Sequence, residues 1–208
     1  MERDFVLHAD NHLVVVDKPA GLPSVPGRTP ELQDCAASRV QALWPDAMVV
    51  HRLDMATSGL LVLARGAEVQ RTLSAAFASR TVHKRYVGLV AGEPSQDAGE
   101  IDLPIGAHWP DRPRRRVDTV SGKPSLTRWR VLQREGGRAR LELEPVTGRT
   151  HQLRVHLAAI GHPLMGDTLY APEDVQAAAP RLMLHARQLR LPHPTDGALR
   201  TFDSPPPF

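Results

Sequence analysis

A single cysteine, Cys35, stands in 208 residues. That excludes an intrachain disulfide and a thiolate zinc cluster, and it fits a reducing compartment where stability comes from packing. Long apolar runs are also missing: none approaches the about 18 residues of a membrane helix, and the opening MERDF carries acids without a secretory apolar region. A cytoplasmic chain with no membrane partner is therefore expected. Aromatic residues make up only 4% of the chain, and lysine is scarce, since every cation except Lys18, Lys84 and Lys123 is Arg. Several catalytic signatures are absent too. There is no GxSxG elbow, no GxxxxGK[ST] phosphate loop, no GxGxxG fingerprint and no HExxH, so hydrolase, nucleotidase and dehydrogenase readings lose their best support. His151 and His156 lie five apart, on different faces of a helix, with no carboxylate cluster nearby. No metal and no organic cofactor is expected.

What is present is an ordinary globular composition, 41% hydrophobic and 24% charged with a net charge of +3, which excludes disorder as the default state. The charge is unevenly spread. Residues 1–50 sum to −3 and residues 101–150 to +5, the latter holding RPRRRV (112–117) and RWRVLQREGGRAR (128–140). Such a local excess of Arg suits a polyanion partner, because guanidinium groups bind phosphates bidentately and stack on bases. No repeat or long linker appears, so a single domain over 1–208 is expected.

Hydrophobic patterning predicts strands at His12–Asp17, Leu60–Leu63, Arg85–Ala91, Ser125–Leu132, Arg138–Val146 and Leu182–Leu191. Helices are predicted from Pro30 to Leu43 with Thr29 as N-cap, after Gly66 with Val69, Leu73 and Phe77 as one buried stripe, and from Thr150 to Ile160 with Arg154 on its polar side. This arrangement argues for an α+β architecture with much antiparallel pairing.

The segment VVHRLDMATSGLLVLAR (49–65) places His-Arg-Leu-Asp on a loop between two apolar stretches, a position suited to reactive groups. Spacing alone leaves open that Asp54 simply caps a turn or pairs with Arg52. The segment resembles the active-site motif of the RluA-type pseudouridine synthase family. Four further stretches extend the resemblance in order: VVVDKPAGLPSVPG (14–27), VHKRYVGLV (82–90), GRTHQLRVHLAAIGHPLMGD (148–167) and RLMLHARQL (181–189). Because the first begins by about Val14, no separate S4-like RNA-binding domain is expected before it.

The resemblance implies the pseudouridine synthase fold: α+β, a central mixed, largely antiparallel sheet with flanking helices and a basic catalytic cleft. It implies isomerisation of uridine to pseudouridine in structured RNA, with base flipping, in a tRNA anticodon stem-loop, 23S rRNA or both, by a protein expected to be a monomer. Asp54 matches the family's catalytic aspartate, acting as a nucleophile or as a base toward a sugar proton. Tyr86 matches the tyrosine lying against the uracil, and Arg154 the arginine that pairs with the aspartate. Arg52 matches an arginine that occupies the gap left by the extruded base, and Leu184 a residue packing near that base. Lys18 is expected to help hold the first motif, and Arg114, Arg115 and Arg116 are candidate phosphate anchors. Two rival classes remain for comparison. A non-catalytic RNA-binding module would not need Asp54, Tyr86 and Arg154 together, and a glycoside hydrolase would need a second positioned carboxylate and aromatic sugar platforms.

Overall fold

In the computed structural model, which describes residues 5–109 and 111–208, the first half of the chain forms β1 (Val6–Ala9), β2 (Leu13–Lys18), α1 (Ala36–Leu43), β3 (Ala47–Val49), β4 (Ser58–Arg65), α2 (Ala67–Ala78), β5 (His83–Ala91) and β6 (Ala98–Asp102). There follow β7 (Ile105–Ala107), β8 (Arg115–Val117), β9 (Leu126–Glu135), β10 (Arg138–Pro145), α3 (Gln152–Ala159), α4 (Glu173–Ala177), β11 (Leu184–Pro192) and β12 (Leu199–Asp203). The architecture is α+β. Two units emerge, one of the residues up to Lys84 with Ala186–Pro207, the other of Arg85–His185 with Phe208.

In the first unit the strands run in the order β1, β2, β4, β11, with β3 on β4 and β12 on β11. The pairings β1/β2, β2/β4, β3/β4 and β11/β12 are antiparallel. Both faces of β2 and β4 are buried. Leu13, Val15, Leu60 and Val62 pack with Leu73 of α2 and with Leu189 and Leu191 of β11, while Val14, Val16, Leu61 and Leu63 of the opposite face are equally covered. Burial on both sides explains why these strands read as unbroken apolar runs rather than alternating ones. The expected stripe on α2 holds: Leu73 is in the core, with Val69 and Phe77 against it. Gly59, at φ +110°, passes so close to Ala186 that a Cβ there would overlap its backbone.

The second unit orders its strands β5, β10, β9, β6, all antiparallel, with β7 and β8 as a separate two-stranded ribbon. β10 alternates as expected, with Ala139, Leu141 and Leu143 buried and the intervening charges turned outward. There Arg130 meets Glu142 at 2.9 Å, and Arg128 meets Glu100 at 2.8 Å.

Two sequence expectations need correction. The helix from Pro30 to Leu43 is broken: Pro30–Leu32 is a short 3-10 turn, Thr29 makes no side-chain cap, and α1 begins only at Ala36. Its start is fixed by a capping box, in which Cys35 Sγ accepts the Ser38 N–H at 3.3 Å and Ser38 Oγ accepts the Cys35 N–H at 3.0 Å. The next two N–H groups, of Ala36 and Ala37, donate to the carbonyls of Pro23 and Ser24. Nor does α3 have a polar side at Arg154, since every residue from Gln152 to Leu157 is buried.

Candidate active site

Residues 50–57 connect β3 to β4 without regular structure, yet almost every position in this connection is tied down. His51 Nε2 accepts the Val62 N–H at 3.0 Å, and its ring stacks on Phe77 at 4.5 Å between centroids. Burial, reinforced by the charge of Lys84, pushes the His51 pKa down to about 3. The ring is therefore neutral at ordinary pH, as an accepting Nε2 requires. Ser24 holds the next position from both sides, its hydroxyl donating to the Leu53 carbonyl at 2.8 Å and accepting the Leu53 N–H at 3.0 Å. The Thr57 N–H closes a turn onto the Asp54 carbonyl at 3.0 Å.

The residue after Asp54 is held by Lys18. This side chain is 0% exposed, and its Nζ donates to the carbonyls of Pro19 at 3.0 Å, Leu22 at 2.7 Å and Met55 at 3.1 Å. Gly21 adds its N–H to the same Met55 carbonyl at 2.9 Å. Burial pushes the Lys18 pKa down to about 8, with the charge of Asp54 pulling it back up. The motif at 14–27 thus grips the backbone on either side of Asp54. That grip is the physical link between two motifs about thirty residues apart. Within this segment Arg52 is exposed, Leu53 buried and Asp54 half-buried.

The other expected site residues lie in the second unit. Tyr86 sits on β5 opposite Leu143 of β10, and Leu184 is buried at the start of β11. Arg154 is only 4% exposed. Its Nε and Nη2 fork onto Asp167 at 2.8 Å and 2.6 Å, a bidentate pair of the strong, geometrically specific kind. Asp167 in turn accepts the N–H groups of Leu169 and Tyr170. The Arg154 guanidinium lies 5.1 Å from the centre of the Tyr170 ring. The hydroxyl of Tyr170 accepts the Arg115 N–H at 2.8 Å and bonds His151 Nδ1 at 2.6 Å. One tyrosine therefore joins the start of β8 to the residue that opens α3.

Its neighbours on α3 are equally committed. Gln152 bonds the Leu126 carbonyl and the hydroxyls of Thr127 and Thr147. His156 bonds Thr127 Oγ1 and the Leu103 carbonyl, each at 2.9 Å, and burial lowers its pKa. Among the described residues no three His, Cys, Asp or Glu side chains gather as metal ligands, and no helix is long and apolar enough to cross a membrane. Of the candidate phosphate anchors, Arg114 faces Asp111 at 3.1 Å and Arg116 faces Asp118 at 3.7 Å. Arg115 has a buried Nε with no acceptor.

Residues 12–159 match the RNA pseudouridylate synthase family. This chain belongs to that family. It is 46% identical over 204 residues to the dual-specificity RNA pseudouridine synthase RluA of Escherichia coli (strain K12), covering 98% of this chain and 93% of that one. To the protein of the same name from Yersinia pestis it is 48% identical over 193 residues, covering 92% and 94%. The solved structure of human RNA pseudouridylate synthase domain containing 1 superimposes with a TM-score of 0.82 at 30% identity, covering 98% of this chain and 83% of that one.

The protein is accordingly an RNA pseudouridine synthase, an isomerase acting on uridine in RNA, and its α+β fold is the fold of this family. Sequence reading passed over Asp167 and Tyr170, although both lie in or beside a motif that it singled out. It also understated Lys18. The available signal was a lysine at the end of an apolar strand, separated from Leu13–Val16 only by Asp17, where a cation needs a structural reason to be.

Proposed function

We propose that the chain converts uridines in RNA stem-loops, those of a tRNA anticodon arm and of 23S rRNA, with Asp54 as the catalytic carboxylate. The observation that carries this reading is the grip on residues 53 and 55 by Ser24 and Lys18, which fixes the backbone from which Asp54 projects. Rigid placement matters because a reacting group displaced by an ångström loses much of its effect. The reaction breaks the N1–C1′ bond, turns the uracil while it stays bound and joins C5 to C1′; the hydrogen leaves C5, and N1 ends protonated. No electron is gained or lost, so the chemistry calls for no redox cofactor and a carboxylate with a proton acceptor suffices.

In this proposal Tyr86 lies against the uracil and is placed to take the C5 proton. Arg154, fixed in orientation by Asp167, is the charge partner of the catalytic carboxylate, and Leu184 packs near the base. Arg52, exposed two residues before Asp54, supports the vacated stack, while Arg114, Arg115 and Arg116 contact phosphates. The likeness to the two RluA proteins, whose names state dual specificity, supports two kinds of RNA substrate. Because a single family match spans residues 12–159, 1–208 is proposed as one catalytic domain, working as a cytoplasmic monomer.

Tritium release from RNA labelled at uridine C5 tests the assignment. The wild-type protein should release tritium without freeing uracil. Asp54→Asn should abolish release while holding RNA within a few-fold of wild type, because shape and phosphate contacts survive. Near-normal release by Asp54→Asn would refute the role.

A further inference from the structure

Two of the three tryptophans are treated in opposite ways, Trp44 being half-buried. Trp129 of β9 is 8% exposed. It fits because residue 99 is glycine: a Cβ there would lie 2.8 Å from the Trp129 ring. Trp109, in the connection between β7 and β8, is 63% exposed. An indole buries more apolar area than almost any other side chain, so leaving one in water forgoes a large stabilisation. Its one described ring contact is Arg112, whose guanidinium carbon stands 3.5 Å from the ring centroid, stacking distance for two planar groups. Described residues on either side of the indole are tied together, the His108 N–H to the Arg114 carbonyl at 3.1 Å and the Arg114 N–H to the Asp111 carbonyl at 2.9 Å. An exposed indole backed by a flat cation is thus presented in the connection that joins the two strands of the ribbon, a few residues before Arg114, Arg115 and Arg116.

Unpaired RNA bases are recognised by such surfaces, through aromatic faces and guanidinium planes next to cations that meet the backbone. The cations in sequence around the indole, Arg112, Arg114, Arg115 and Arg116, favour RNA as the occupant, since they suit phosphates next to a stacked base. We propose that Trp109, backed by Arg112, is a stacking platform for an unpaired base of the substrate stem-loop, separate from the residues assigned to bond-making. This rests on the chain's being an RNA pseudouridine synthase. The platform selects RNA in which a base is free to stack, and it acts on binding rather than on the chemical step.

The test uses the full chain and a stem-loop RNA carrying 2-aminopurine at unpaired loop positions. Wild-type protein should quench the fluorophore at one loop position, and Trp109→Ala should lose that quenching. Trp109→Ala should raise KM about tenfold, as the loss of one stacked base predicts, with kcat within twofold and the salt dependence of binding unchanged. Trp109→Phe should lie between the two. An abasic substitution at the quenched position should weaken wild-type binding but add little to Trp109→Ala, the signature of a shared contact. Unchanged KM in Trp109→Ala, or an equal loss on stem-loop and on perfect duplex, overturns the platform while leaving the enzyme reading intact. A wild-type protein that forms no pseudouridine on any stem-loop brings down both.

Discussion

A lysine with no exposed surface is costly unless each of its protons finds an acceptor. Lys18 meets that condition with three carbonyls, of Pro19, Leu22 and Met55, and with the nearby charge of Asp54. Replacing it by Met would take the described donor from the Pro19 and Leu22 carbonyls, the Met55 carbonyl keeping the Gly21 N–H, so Lys18→Met should lower stability by about 3 kcal/mol. Thermal unfolding would measure the loss, and turnover should fall further than RNA binding because residue 55 is then held by the Gly21 N–H alone. The pH dependence divides in two. Lys18 titrates near 8 in the folded chain, below the ordinary value of 10.5, so between these values the folded chain holds fewer protons than the unfolded one. This residue therefore makes stability rise with pH across that window. Turnover runs the other way, since losing the proton removes one donor and the cation facing Asp54. Single-turnover rates at saturating RNA should fall several-fold as pH rises through about 8; a flat profile from pH about 7 to about 9 would contradict the role.

At the scale of elements, legibility depended on where each side chain found its partner. β10 could be read from its alternation because one face is buried and the other carries ion pairs within the sheet. α3 could not. Arg154 read as lying on a polar side, yet it is buried, and so are Gln152 and His156, with partners at Thr127, Thr147, Asp167 and Leu103 that no local pattern announces. The break at residues 33–35 was hidden for the same reason, since the 23–24 backbone takes the first N–H groups of α1. Short strands such as β3, β7 and β8, three residues each, carry too little pattern to stand out and exist through pairing. Gly166 ties this scale to the site. It has φ +71°, and a Cβ there would overlap the Arg181 carbonyl, immediately before the aspartate that holds Arg154. Gly166→Ala should therefore cost at least about 3 kcal/mol from positive φ and overlap together. Denaturant unfolding would show it, and wild-type stability would refute it.

For the whole molecule, the surplus of Arg in residues 101–150 overstates the charge available to RNA. Arg128, Arg130 and Arg134 are engaged by Glu100, Glu142 and Asp97, and Arg114 and Arg116 by Asp111 and Asp118. Exposed pairs of this kind are weak, so a phosphate can displace the carboxylate, but the displacement subtracts from the gain. Each full phosphate contact adds roughly 0.7 to 0.9 to the slope of log affinity against log salt. Changing Arg114, Arg115 and Arg116 together to Gln should therefore flatten that slope by about 1.5 rather than by the full sum for three contacts. The weakening should be similar for most RNAs, because phosphates carry no sequence. Conversely, Asp111→Asn with Asp118→Asn should tighten binding at low salt by freeing two guanidinium groups. Discrimination arises elsewhere, at the Trp109 platform and in the cost of extruding a nucleotide, a few kcal/mol in a duplex and least in a loop. The Gln variants should then keep the wild-type preference for stem-loop over duplex while binding both less well. A lost preference with an unchanged slope would mean that these arginines read shape and leave the phosphates to other cations.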